Sequence, residues 1–470
     1  MGWEVLDFWA KMVHDYFLGI VMKHPKPKNT TNSILRKHLN ADALFRALQT
    51  DFSKVSDFRQ GDVKISMTDA LMSGFAMFSL KDPSLLAFDQ RRGIDQNLKS
   101  IYHIDKVPCD TQMRTILDEV YPEQLRAAFK QPVRQLQRGK VLERMVFFER
   151  CYLLSLDGTG FFSSKKLHAD FCLEKVNKKT GEITYYLQML GAAIVHPDFK
   201  EVIPLAPEFI NKQDGQSKND CERNAAKRFF QKLRKDHPHL PLIITEDALS
   251  SNAPHIREAQ KYNLHYILGV KEGDHSFLFD QVKTARNEGQ TTEFEIVDEH
   301  NPQMIHRFSF INQIPLNASN QDLLINFIEY WEVSPDKIKH FSWVTDFTVT
   351  KDNAYQLMRG GRTRWKIENE TFNTLKNQGY HFEHNYGLGK KNLSLVFAML
   401  MMLAFLIDQT QQLSCKLFRA VWQKVKSKRA LWERMRSLFK EFAFESMQML
   451  YQAILYGVKF QPPIILYDSS

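Results

Sequence analysis

Cysteine is scarce in this chain. Five occur in 470 residues, Cys109, Cys151, Cys172, Cys221 and Cys415. They are odd in number and scattered, and no CxxC pair is present. This excludes a disulfide framework and points to a reduced, cytoplasmic protein. His168 and Cys172 stand four apart, but no further ligands at zinc-like spacing accompany them. Long apolar runs are missing too. The longest, Leu393 to Ile407, falls short of the ~20 residues that span a bilayer. Asp408 closes it, so it reads as a buried core helix rather than a membrane segment. No secretory signal is visible, because Glu4, Asp7, Lys11 and Asp15 interrupt the apolar residues of the N-terminus. Internal repeats and low-complexity segments are absent.

What is present is an ordinary globular composition, 43% hydrophobic and 25% charged, with length enough for two to four domains. The net charge of +9, from 63 Lys and Arg against 54 Asp and Glu, is a mild bias toward polyanions. A solvated basic surface explains it equally well.

Patterning divides the chain. Residues 1–145 read as helical, with starts at Thr68-Asp69, Asp82-Pro83, Asp110-Thr111 and Pro122-Glu123. A DNA-binding module and a plain packing domain both suit this segment. The period then changes. CYLLSLDGTG (151–160) is strand-like, and a hairpin comes next with its turn near Lys179-Thr180-Gly181. EVIPLAPEFI reads as a third strand, residues 220–238 as an amphipathic helix, LPLIITEDALS as a fourth strand, NAPHIREAQKYN as a short helix and LHYILGV as a fifth strand. Residues 275–350 are aromatic and β-branched, so strand-rich. Lys351 to Asn377 returns to helix, and the region from 411 to 470 is helical and basic, with Lys416, Arg419, Lys424, Lys426, Lys428, Arg429, Arg434, Arg436 and Lys440.

Three acids stand out. Asp157 comes directly after an apolar run and is placed where a buried strand reaches solvent; a turn-forming Asp before Gly158 is the bland alternative. Asp247 closes the fourth strand. Its neighbour Glu246 is a rival, since side chains alternate along a strand and only one of the two should face the site, and Asp247 also suits a simple cap. Glu368 lies in GGRTRWKIENETFNTLK (360–376), with Trp365, Phe372 and Arg364 at helical spacing. A surface Arg364–Glu368 ion pair is the bland reading there, and Glu370 is a rival acid. Three carboxylates suit two Mg²⁺ ions about 3.5–4 Å apart, the arrangement used to cut phosphodiesters.

The order strand, strand, strand, helix, strand, helix, strand, with acids on the first and fourth strands, matches the ribonuclease H-like fold. With LDGTG, ITEDALSSNAPHI, YILGVKEGDH and RWKIENETFNTLK in that order, residues 145–410 resemble the bacterial insertion-sequence transposases of the Asp-Asp-Glu class. The similar branch is the cut-and-paste group with a Tyr-Arg-Glu-Lys signature. The resemblance implies an α/β fold: a ribonuclease H-like core (146–274 and 351–410), a β-rich insertion (275–350), a helical N-terminal DNA-binding domain (1–145) and a helical basic C-terminal region (411–470).

It also implies a DNA transposase that nicks transposon ends and joins them to target DNA. Asp157, Asp247 and Glu368 would hold two Mg²⁺ ions, with Mn²⁺ substituting. Arg364 takes the signature arginine and would meet DNA phosphate, with Arg362, Trp365 and Lys376 beside it as DNA-contacting candidates. Its partners would be double-stranded DNA, both terminal inverted repeats and target, and a second copy in a paired-end homodimer, in a bacterial cytoplasm and associated with the nucleoid when bound. The signature tyrosine falls on Gly361. The signature lysine position is Leu375, and Lys376, one further on, is expected to turn about 100° away on an α-helix. Trp331 and Trp343 are candidates to stack on a flipped base, or core residues. A relative that only binds DNA, and a general metal-dependent nuclease, are the competing readings.

Overall fold

A computed structural model describes residues 36–458 except 94, 211 and 213–220. The apolar N-terminal residues with Glu4, Asp7, Lys11 and Asp15 lie outside the described residues. The architecture is mixed α/β, one large sheet with many helices.

The strands are β1 (Val146–Phe148), β2 (Cys151–Ser164), β3 (Leu173–Val176), β4 (Ile183–Val195), β5 (Ile203–Pro204), β6 (Glu208–Ile210), β7 (Leu242–Glu246), β8 (His265–Gly269), β9 (Thr292–Val297), β10 (Ile305–Asn317), β11 (Asn320–Val333) and β12 (Ile338–Thr345). They form one sheet in the order β3-β4-β2-β7-β8-β12-β11-β10-β9, with β1 on β2 and with β5 and β6 on β4. β2, β7 and β8 run parallel, and β4 runs antiparallel to β2. β7 reads LIITE and is buried at every residue, as a parallel strand covered on both faces must be. Its cover includes the crossover helices Glu222–Asp236 and Ala253–Lys261.

β2 continues well past Asp157. Sequence patterning placed this acid at a strand end or in an Asp-Gly turn, but β4 stays paired to β2 through Ser164, with a bulge between Gly160 and Phe162. Two glycines in DGTG therefore carry a bent strand, not a turn. The strand-rich segment after the core opens with a helix that patterning missed, Ser276–Asn287. Its four strands extend the central sheet, because β12 pairs with β8.

Helices close one side. Leu393–Ser414 is buried along all 22 residues and packs against Met67–Ser79, Asp110–Asp118 and Arg126–Arg138. It is long and apolar enough to cross a membrane by length and composition, yet it lies wholly within the fold. The helices between 36 and 145 thus share a core with the C-terminal region. The helix caps differ from the expected ones. Ser66, not Thr68 or Asp69, caps Met67–Ser79, and Ser84 caps Leu85–Arg92. The Asp69 carboxylate accepts instead from the Asp105 N–H at 2.9 Å.

Candidate active site

Parallel pairing sets where the first two acids lie. β2 and β7 pair from Tyr152↔Leu242 to Ser155↔Thr245. Asp157 and Asp247 each come two residues beyond that last pair, so the two strands deliver them at the same level and on the same face as Ser155 and Thr245. Asp157 accepts a hydrogen bond from its neighbour Gly158 N–H at 2.9 Å. Asp247 also caps the short turn Ala248–Ser250, its Oδ1 accepting from Leu249 N–H at 3.0 Å. The cap and the placement beside Asp157 coexist, because one carboxylate has two oxygens to give. Glu246 turns the other way, into a buried bond with His255 Nε2. It is consumed there.

Glu368 arrives from far along the chain. The segment expected as one helix is broken into Ala354–Arg362, a π-turn at Ile367–Phe372 and Asn373–Asn377. Two contacts seat it on the sheet beside Asp157. Ser155 Oγ donates to the Arg364 carbonyl at 2.9 Å. Phe372 packs onto Gly191, the cross-strand partner of Asp157; a Cβ on that glycine would stand 2.7 Å from the ring. Burial raises the Asp157 carboxyl above the usual range. Arg364 and the Gly158 N–H lower it, and the charges of Asp247 and Glu368 raise it again. Asp157 thus feels the charge of both other acids singled out from sequence. Glu370 instead acts on Lys366 and Lys428, away from the aspartates.

The expected basic residues divide. Arg364 does not pair with Glu368; its Nη1 lies 3.4 Å from Asp157 Oδ2, and its guanidinium stacks over Trp365 at 4.8 Å. Trp365 is half exposed. Arg362 is held by Glu332 of β11 and lies over the Phe341 ring at 4.9 Å. Lys376 pairs with Glu383 at 3.0 Å, not with the acid group. A π-turn, Ile367–Phe372, lies between Glu368 and Lys376, and an i→i+5 turn holds one residue more than an α-turn, the same one-residue offset that separates Lys376 from the signature position.

Gly361, in place of the signature tyrosine, also has a cause. A Cβ there would stand 2.3 Å from the indole nitrogen of Trp343. Trp343 is buried and stacked on Phe341, which makes it a core residue as placed, and its indole fills the space a side chain at 361 would need. Trp331 stacks on His340 at 5.0 Å, in the half-buried surface of β11 and β12. Phe341, Trp343, Arg362, Arg364, Trp365 and Lys271 line a 480 Å³ cleft that Asp247 also borders.

Much of the basic C-terminal region is spent inside the protein. Arg419 donates to the carbonyls of Gln412 and Leu413, Lys424 to Leu455, Arg429 to Asn377, and Arg436 to Leu80 and Lys81. Cations at helix ends satisfy carbonyls the helices leave free. His168 stacks on Tyr185 at 4.4 Å and Cys172 is buried, so that pair has structural occupations.

One acid escaped the sequence reading. Glu222 opens the helix Glu222–Asp236, and its Oε1 lies 2.0 Å from where a Cβ on Gly158 would be. Burial and the charges of Asp157, Asp247 and Glu246 raise its carboxyl. Only the bare backbone of Gly158 admits it. The sequence signal was an acid in the first turn of a helix and a glycine next to Asp157, each unremarkable alone.

The donor set suits a hard cation. Asp157, Asp247 and Glu368 offer carboxylate oxygens alone, with Arg364 beside Asp157, and oxygen donors of this kind favour Mg²⁺ or Mn²⁺ over zinc. Among the described residues, no three acid, His or Cys side chains converge closely enough to hold an ion as they stand. Arg364 occupies the approach to Asp157 in their place.

No family model matches the chain, and no curated protein matches it. Among solved structures it is similar to a cryo-EM structure of a piggyBac transposase synaptic complex with hairpin DNA. The identity is 12%, over 93% of this chain and 89% of that one, and the TM-score is 0.38. A likeness of that size does not identify an activity.

Proposed function

We propose that the protein is a DNA transposase of the Asp-Asp-Glu class, cleaving transposon ends and joining them to target DNA. What supports this reading is the delivery of Asp157 and Asp247 to matched levels of two parallel strands, with the charge of Glu368, from the π-turn, felt at Asp157. Strand order supports a ribonuclease H-like core: β5 and β6 on β4, then β4-β2-β7-β8, with the last three parallel.

In this reading Asp157, Asp247 and Glu368 bind two Mg²⁺ ions, which Mn²⁺ replaces. Bound there, the ions would supply activation of a water or 3′-hydroxyl and charge stabilisation on the leaving oxygen. The chain's own residues hold and orient the DNA. Arg364, released from Asp157, takes a phosphate oxygen beside the acids, as a forked guanidinium does well. Trp365, half exposed beside it, offers a flat apolar face, while Arg362 and Lys376 supply charge further along. The double-stranded substrates are terminal inverted repeats and target DNA, and pairing of two ends calls for a homodimer. The working place is the bacterial cytoplasm, on the nucleoid.

The test uses DNA flanking the gene as substrate. With Mg²⁺, the protein should nick and transfer fragments carrying inverted repeats from those flanks, and Asp157→Asn should abolish both steps while retaining DNA binding. Binding without cleavage under any metal would make it a DNA-binding relative. Equal cutting of unrelated duplexes would make it a general nuclease.

A further inference from the structure

We propose that His275 is a positioning residue for Asp247, holding the turn that carries this acid through the carbonyl of Ser251. The inference rests on the function proposed above and names a residue that the reaction there would need.

His275 ends YILGVKEGDH (266–275), a stretch that holds none of the three acids. It stands in the N-cap position of the helix Ser276–Asn287, yet its side chain makes no cap bond. Asn, Asp, Ser and Thr are the residues that cap well, so this helix start forgoes a good cap. The half-buried ring turns back across the end of β8 instead. Its Nε2 donates to the Ser251 carbonyl at 3.0 Å, across 24 positions of sequence. A carbonyl only accepts, so Nε2 is the nitrogen that carries hydrogen. The other ring nitrogen lies 3.3 Å from the Lys271 carbonyl.

Ser251 is where the Asp247 turn ends. Asp247 Oδ1 accepts from Leu249 N–H, and the Asp247 and Ala248 carbonyls accept from Ser250 and Ser251 N–H at 3.2 and 3.3 Å. These last two bonds are long, the helical turn spans only Ala248–Ser250, and Leu249 within it is 71% exposed. A turn so short and open has little of its own to keep it in one conformation.

Its hold comes from both ends. Before it, Glu246 is bound to His255. After it, the buried Ser251 gives its Oγ to the Gly269 carbonyl at 2.5 Å and takes His275 on its own carbonyl. Gly269 ends β8, and the next residue, Val270, accepts from Ser342 Oγ of β12 at 3.0 Å. The turn is thus fastened to the sheet and to the next helix together. Precision is what such a fastening supplies, since a reacting group must sit within about 0.5 Å of its productive place.

The experiment compares the full-length parent with three variants. His275→Ala removes the donor. His275→Gln keeps an N–H near the place of Nε2. His275→Asn supplies a good helix cap but is too short to reach Ser251. Each protein is read by thermal melting, by hydrogen exchange of the 247–252 backbone, and by cleavage of duplex from the gene's flanks with Mg²⁺. In His275→Ala and His275→Asn the turn should exchange faster, and kcat should fall about ten- to a hundredfold with KM for DNA unchanged. His275→Asn should do so while melting no lower than the parent. His275→Gln should recover part of both losses. A role confined to the helix start predicts full rate in the well-capped His275→Asn, and that result overturns the inference. Unchanged exchange in His275→Ala overturns it too. A parent that cuts no DNA overturns the function proposed above, and the exchange measurement then still decides whether His275 holds the turn.

Discussion

Arg364 reaches across 207 positions of sequence to place Nη1 3.4 Å from Asp157 Oδ2. The guanidinium and a metal ion want the same carboxylate, so the ion pair competes with metal until DNA offers Arg364 a phosphate. Arg364→Ala should therefore bind Mn²⁺ more tightly than the parent when DNA is absent. A partly buried pair of this kind is worth about 1 kcal/mol, or roughly fivefold in affinity. The same variant should bind DNA ends more weakly. Calorimetry with Mn²⁺ alone decides it, and an unchanged or weakened affinity would show that Arg364 and the ion do not compete.

The π-turn at Ile367–Phe372 predicts an asymmetry between deletion and insertion. Asn369 is exposed, and removing it converts the turn to α geometry while leaving Lys376 in phase with Glu368. That deletion should keep thermal stability close to the parent's and retain DNA affinity. An alanine inserted after Asn369 has no slack left to use and turns Lys376 about 100°. It should lose DNA affinity. Equal effects from the two changes would remove the phasing role of the π-turn.

Trp343 and Gly361 share one volume, which makes their substitutions non-additive. Gly361→Tyr alone should destabilise by about 1–3 kcal/mol, because the indole stands in the way. Trp343→Ala alone should cost about 3–5 kcal/mol through the cavity it leaves. The double variant should cost less than the sum by about 1 kcal/mol or more, a coupling that chemical denaturation of the four proteins measures. Simple additivity would mean the two side chains do not compete for the space.

Burial presses the imidazole of His237 down from its ordinary 6.5 to about 4; Asp236 opposes the fall, and Lys130, Arg126 and Arg234 add to it. The unfolded chain takes up a proton near pH 6.5, and the folded chain refuses it until about pH 4. The folded state is therefore favoured fully above pH 6.5 and loses ground as pH falls through that window. His237→Gln removes the proton site. Its melting temperature should match the parent's at pH 7.5 and exceed it at pH 4.5, by an amount on the order of 2 kcal/mol in stability. Parallel curves would mean His237 titrates normally.

Local chemistry made much of this legible from the sequence. β7 announced itself because a strand covered on both faces must be apolar at every position, and Gly181, with φ at +71°, marked the hairpin turn as expected. What depends on a distant partner did not show. Asp157 looked like a strand end because β4, which holds it in mid-strand, pairs from residues over 30 positions away. The break in the helix that carries Glu368 did not show either, because nothing in IENETF announces a π-turn. Glu222 was invisible because its meaning lies in Gly158, a glycine that reads as turn chemistry until the helix above it is in place. The basic C-terminal run read as a surface for polyanions, while its arginines were satisfying the ends of neighbouring helices.

A buried ion pair ties the two helical regions together. Lys81 is fully buried, donates to the Asp408 carboxylate and to the Ser79 carbonyl, and stands 3.9 Å over the Trp432 ring. Burial lowers its ammonium group's pKa, and Asp408 works against that fall. Tyr380 Oη donates to the same carboxylate at 2.6 Å. Asp408→Asn leaves the ammonium buried without its counter-charge and should cost about 3–5 kcal/mol. Adding Lys81→Met removes the stranded charge and fills the space with an apolar chain, so the double variant should regain part of that loss. Denaturant melts of the three proteins test it. A double variant less stable than Asp408→Asn would mean Lys81 contributes through the aromatic ring and the Ser79 carbonyl more than through the ion pair.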